Sequence, residues 1–122
     1  MTLSAVSSGV KDVREVIAGA RELLAQRDIR TCLFIDEVHR FNKSQQDLLL
    51  PVTENGEIVL IGATTENPYF EVNAALLSRT TLWRLQPHTV ESLRVLIDRG
   101  IALRGATIDD AARDALVTEA IA

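Results

Sequence analysis

Residues Thr31 to Glu37 read Thr-Cys-Leu-Phe-Ile-Asp-Glu, four apolar residues running directly into two adjacent carboxylates. Cys32 to Ile35 is too short for a helix and has polar neighbours, which predicts a strand buried on both faces of a parallel sheet. The carboxylates then leave the sheet at the strand's C-terminal edge. Ligands of open α/β sheets bind outside those carboxyl ends, so Asp36 and Glu37 face a candidate site. The plainer alternative is a chain that needs polar residues where it leaves the core.

An apolar strand ending in Asp-Glu is the Walker B pattern of nucleotide-hydrolysing enzymes. Its first carboxylate suits a magnesium ion and its second can orient a water molecule. Composition narrows the setting. The 122 residues are 47% hydrophobic and 25% charged, enough for one domain with its own core. No apolar run approaches the roughly 20 residues of a membrane span, so no membrane partner is expected. The single cysteine, Cys32, rules out a disulfide framework within the chain. It fits a reducing cytoplasm, with the thiol as a small core residue. A net charge of −4 provides no overall basic field for nucleic acid, so any DNA contact must be local or supplied elsewhere.

From Ser8, the apolar positions Val10, Val13, Ile17, Ala20 and Leu24 recur at helical spacing. They predict a helix ending near Gln26, with Ser7 or Ser8 as cap. After the Cys32 to Ile35 strand, the stretch from His39 opens a second helix with Asn42 or Ser44 as cap, and Pro51 should kink or end it. Asn55-Gly56 signals a turn, and Ile58 to Ala63 reads as a second buried strand, giving a βαβ unit. That strand runs into Thr64-Thr65-Glu66-Asn67-Pro68, so two neighbouring strands bring polar groups to one edge; ordinary turn chemistry is the other reading of the two threonines. Asn73 should cap a short helix ending at Ser78-Arg79. Leu82 to Leu85 alternates like a half-buried strand with Trp83 as a packing anchor. Past Pro87 the pattern is helical, with Asp109 as a cap. Strands and helices up to that point and helices alone after it place a domain boundary near Pro87.

The string Phe34-Ile35-Asp36-Glu37-Val38-His39-Arg40-Phe41-Asn42-Lys43-Ser44-Gln45-Gln46-Asp47, then Gly62 to Pro68 and Leu76-Leu77-Ser78-Arg79, resembles the AAA+ ATPases. Within them it is similar to the replication-associated recombination protein A family, the bacterial relatives of the Werner-helicase-interacting ATPase. The resemblance implies a P-loop-type α/β core over residues 1–87, with a three-layer parallel sheet, and the start of an all-helical lid over 88–122. It implies ATP and magnesium as cofactors. Asp36 would support the metal and Glu37 would polarise the attacking water. Thr65 resembles the sensor 1 residue, with Thr64 second. Arg79 resembles the arginine finger that such proteins insert into a neighbouring subunit's site, a group worth about 10³ to 10⁵ in rate. The implied partners are further copies of the chain through Arg79, single-stranded or forked DNA, and a single-stranded-DNA-binding protein. The implied work is replication, recombination and repair at stalled forks.

Gly-x-x-x-x-Gly-Lys-Ser/Thr, whose amides and lysine cradle phosphates, occurs nowhere, and the only lysines are Lys11 and Lys43. The chain is therefore expected to be the central piece of a longer protein, lacking independent catalysis and serving on its own as a binding piece. Asp36-Glu37-Val38-His39 also resembles the acidic box of DEAH-type helicases, in which His39 would be a coupling residue, but the Ser-Ala-Thr element those helicases carry is replaced here by Gly-Ala-Thr-Thr. Clamp-loader and Holliday-junction-motor subunits share the general layout. His39 as a metal ligand has little support, since the other histidine, His88, is distant in sequence. Arg79 at a helix end has a simpler reading too, as a cation satisfying the helix dipole.

Overall fold

The computed structural model describes residues 1–121. Strand β2 spans Thr31–Asp36 and lies between β1 (Thr2–Ser4) and β3 (Ile58–Gly62), all parallel, in the order β1-β2-β3. Helix α1 (Val10–Arg27) crosses from β1 to β2 and α2 (Lys43–Glu54) from β2 to β3. The register pairs Ser4 with Asp36 and Ile35 with Gly62. All three strands therefore deliver their C-terminal ends to one edge. The three-residue β1 is too short to show a periodicity in the sequence.

The strands are covered on one face only, contrary to the expectation of burial on both. Along β2, Thr31, Leu33 and Ile35 are buried, whereas Cys32 is exposed and Phe34 is 37% exposed. On β3 only Ile58 is buried, with Val59 and Ile61 at 47% and 49% exposure. The cause is topological. Crossovers of one hand that step the same way along a sheet lie on the same side of it. Val13, Ile17 and Ala20 of α1 and Leu49 and Val52 of α2 accordingly share one core with Leu33, Ile35 and Ile58. Cys32 is thus not a core residue.

The helix boundaries follow local chemistry, with two corrections. Gly9 rather than Ser7 or Ser8 caps α1, its N–H donating to Asp12 Oδ2 at 2.6 Å. Helix α2 is capped by Asn42, as its sequence suggests. The Asn42 side chain accepts from the Gln45 N–H at 2.9 Å and the Gln45 side chain accepts in return from the Asn42 N–H at 3.0 Å. It does not end at Pro51 but runs one turn on to Glu54. A proline removes one N–H bond, and the fully buried Leu49 and Val52 on either side hold the turn in place. Gly56 at φ +69 supplies the turn before β3.

Beyond β3 come two short helices, α3 (Pro68–Glu71) and α4 (Ala74–Leu77), the latter capped by Asn73 as expected. The chain then divides into two units, the first ending at Leu82 and the second beginning at Trp83. Leu82 to Leu85 forms no strand, because no other strand pairs with it among the described residues. Trp83 is 81% exposed and anchors nothing. The second unit contains α5 (Val90–Leu103), capped by Thr89, and α6 (Asp110–Ile121), preceded by Asp109, whose Oδ1 accepts from the Ala112 N–H at 2.7 Å. Arg94 pairs with Asp114 at 2.7 Å and Arg113 with Asp98 at 2.8 Å, which ties α5 to α6. None of the described helices is long and apolar enough to cross a membrane.

Candidate functional site

Asp36 is the last residue of β2 and is exposed at the sheet edge. Its Oδ1 accepts the N–H of Glu37 at 3.0 Å, which leaves Oδ2 for a ligand. Glu37 adopts a left-handed backbone, φ 54 and ψ 45, a conformation that non-glycine residues rarely take and that persists where the surroundings fix it. Here they do. The β2 to β3 ladder continues past both strand ends, with Ala63 N–H donating to Ile35 O and Val38 N–H to Ala63 O, each at 2.9 Å. Val38 starts a 3₁₀ turn over Val38–Arg40. Its side chain packs onto Gly62, where a Cβ would come within 3.3 Å of Val38 Cγ1. Glycine at that position lets the turn close over β3.

That closure brings His39 to Thr64, with Nδ1 2.8 Å from Oγ1. The same nitrogen is 3.3 Å from Glu37 Oε2. Asp36, Glu37 and Thr64 therefore belong to one cluster beside His39, which the sequence offered only as a helicase-type coupling residue or a metal ligand. Thr65 follows on the same loop and is exposed. Arg79 is held elsewhere: Nη2 pairs with Glu54 Oε1 at 2.5 Å, and Nη1 donates to Ala75 O at 3.0 Å and Ser78 Oγ at 3.2 Å. None of its hydrogen bonds reaches the Asp36 cluster. Glu54, at the end of α2, is the partner that the sequence did not disclose.

A second residue missed in the sequence is Gln46, buried on α2. Its Nε2 donates to Phe41 O at 3.0 Å and Glu71 O at 3.1 Å, and its Oε1 accepts the Asn73 N–H at 2.6 Å. One amide thereby joins the turn after Glu37 to the segment that carries Arg79. A groove of about 360 Å³ between α1 and α2 is lined by Arg14, Ile17 and Pro51 among others, and by none of the edge residues.

Residues 1–86 match the family described as "ATPase family associated with various cellular activities (AAA)". The chain belongs to the AAA ATPase family. It is 55% identical over 107 residues to ATPase WRNIP1 of Dictyostelium discoideum, a match covering 88% of this chain and 12% of that protein. To replication-associated recombination protein A it is 52% identical over 99 residues in Escherichia coli strain K12, covering 81% of this chain and 22% of the relative. The Bacillus subtilis protein of the same name is 40% identical over 119 residues, covering 92% and 27%. This AAA chain thus spans between 12% and 27% of the length of those relatives. Among solved structures it is similar to the Thermotoga maritima RuvB Holliday junction branch migration motor, with a TM-score of 0.71 and 30% identity over 92% of this chain and 37% of that one. The parallel α/β sheet followed by helices agrees with the fold expected from sequence.

Among the described residues no three His, Cys, Asp or Glu side chains converge as a metal cluster. A single free carboxylate oxygen on Asp36 nevertheless fits magnesium, which keeps several waters and takes one or two carboxylates together with substrate phosphates.

Proposed function

We propose that this chain carries the hydrolytic edge of an ATP-hydrolysing AAA protein that works on DNA in replication, recombination and repair. The observation that carries this reading is the pair Asp36 and Glu37 at the C-terminal end of the central strand, fixed by the ladder to Ala63. The family match and the names of the relatives support it. Asp36 would hold magnesium, which supplies charge neutralisation at the transferring phosphoryl group. Glu37 orients the attacking water. Thr65, or Thr64 in second place, meets the γ-phosphate or that water. The 122 residues contain no Gly-rich phosphate cradle, so nucleotide binding depends on groups outside them.

Arg79 acts in trans on a neighbouring subunit's nucleotide, released from Glu54 when the subunits meet. This makes the working state a homo-oligomer. Residues 1–87 form part of the nucleotide-hydrolase core and 88–122 open the helical lid. Forked or single-stranded DNA and a single-stranded-DNA-binding protein are the proposed partners, by resemblance to the recombination-protein family; the relatives' names support a role in replication and recombination.

In the full-length protein, Glu37→Gln should retain magnesium-ATP binding and abolish turnover. Unchanged turnover would remove Glu37 from the chemistry. Arg79→Ala should be inactive alone and partly rescued by mixing with Glu37→Gln subunits, because mixed interfaces of one order, the site of an Arg79→Ala subunit meeting the finger of a Glu37→Gln neighbour, pair an intact Glu37 with an intact Arg79. A mixture with no activity beyond that of its components would refute the finger in trans.

A further inference from the structure

The groove between α1 and α2 takes no part in the sheet-edge site, and its lining is chemically uneven. Ile17 and Val52 form a buried apolar base, beside which Ala18 and Pro51 are exposed and Leu48 is half-buried. Arg14 and Arg21 stand two helical turns apart on the same stripe of α1 as Ile17 and Ala18. The charged groups are not equivalent. Arg21 Nε donates to Glu57, and Asp47 Oδ1 accepts from Asn73 Nδ2 at 2.7 Å. Arg14 lines the groove with neither an ion pair nor a hydrogen bond among the described residues.

Pro51 adds a backbone group to this surface. Inside α2, residue 51 would ordinarily donate its N–H to the Asp47 carbonyl, and a proline has none to give. That carbonyl points along the helix towards Pro51, itself a wall of the groove. An apolar floor, an unmatched guanidinium and a carbonyl short of its donor complement a peptide that offers an apolar side chain, a carboxylate and a main-chain N–H. The interior of a helix has its N–H groups in use, so the fitting peptide is extended. A phosphate backbone fits poorly, because the Asp47 carbonyl and carboxylate both oppose it.

We propose that the α1–α2 groove docks an extended acidic segment of a partner protein, with an apolar side chain on Ile17, Ala18 and Val52, a carboxylate on Arg14 and an N–H on the Asp47 carbonyl. The inference does not depend on the catalytic reading of Glu37.

Fluorescence polarisation of the full-length protein with a labelled short peptide, one leucine set between aspartates, tests this. Binding with a micromolar Kd is expected, weakened roughly tenfold by Arg14→Ala, as for one lost hydrogen bond to a charged group. Replacing the peptide's aspartates by asparagines should cost the same factor with the wild type and nothing further with Arg14→Ala. Pro51→Ala returns an N–H to the Asp47 carbonyl and should weaken binding several-fold. Ala18→Trp fills the floor and should abolish it. ATP turnover should be unchanged in Arg14→Ala, because the groove shares no residue with the sheet edge. Should Ala18→Trp not fold, the exposed Arg14 decides. No binding at millimolar peptide, a wild-type Kd in Arg14→Ala or Pro51→Ala, or equal binding of the asparagine peptide would overturn the proposal. Displacement of the peptide by a thymidine oligonucleotide would assign the groove to nucleic acid, and a changed sedimentation coefficient in Ala18→Trp would assign it to a second copy of the chain; either result overturns it too.

Discussion

The residues up to Leu82 and those from Trp83 onward are held by different means. The first region encloses eleven buried side chains in one cluster, from Ala5 to Ile58. In the second, α5 buries no side chain and α6 buries only Val117, while Leu103 and Leu85 stand almost fully exposed. Between α5 and α6 lie the exposed pairs Arg94–Asp114 and Arg113–Asp98, beside the buried Val117 of α6. Exposed pairs of this kind typically contribute about 0.2–1 kcal/mol each. The contrast separates a region with a dense apolar core from one with little buried surface of its own. A strained turn such as that at Glu37 needs a rigid support, and only the first region supplies one.

The sharpest way to break this contrast is a matched pair of core truncations. Leu33→Ala, at a fully buried position of the central strand, should cost about 2–5 kcal/mol, read from urea unfolding with amide exchange resolved along the chain. Val117→Ala should cost about 1 kcal/mol. Equal costs would mean that the second region has a core of comparable quality. Next in size is the Gln46 amide. Gln46→Leu keeps the volume and strands Phe41 O, Glu71 O and the Asn73 N–H, which should cost about 1–3 kcal/mol. Amide protection should fall first around Asn73. A loss spread evenly over the first region would show that Gln46 merely fills space.

The smallest effect lies on the surface of the first region. Arg21 Nε donates to Glu57 at 2.5 Å, and that hydrogen bond holds the Glu57 carboxyl below its ordinary range. A carboxyl depressed by folding adds stability that is present above its unfolded value and is lost as the pH falls through its folded value. Arg21→Ala should therefore lower the urea midpoint slightly at neutral pH, and the two midpoints should converge below the carboxylate range. If the gap persists in acid, the effect of Arg21 is packing along α1 and not charge.

Much of the first region was legible because its signals are local. The Asn42 and Asn73 caps, the Asn55-Gly56 turn and the strand ending in Asp36 and Glu37 each depend on residues within a few positions of one another. Burial on both faces of β2 was misjudged because the coverage of a sheet depends on strand order, which no short window contains. Leu82 to Leu85 failed for a related reason: alternation makes a strand only where another strand is present to pair with it. Pro51 was overruled by the buried neighbours that bracket it. The contact of His39 with Thr64 stayed hidden because the two are 25 residues apart, and Glu54 was likewise invisible as a partner of Arg79. Roles assigned one residue at a time missed the connections between them.

The bonded backbone around Glu37 has a kinetic consequence. With Val38 N–H fixed to Ala63 O and Glu37 N–H fixed to Asp36, the peptide planes beside the carboxylate cannot reorient without opening the sheet edge. What remains is rotation about the side chain's own bonds, a picosecond-to-nanosecond event for a group that is partly open to solvent. Any slow step at this edge belongs to larger movements of the chain or its neighbours, and the glutamate follows them without delay.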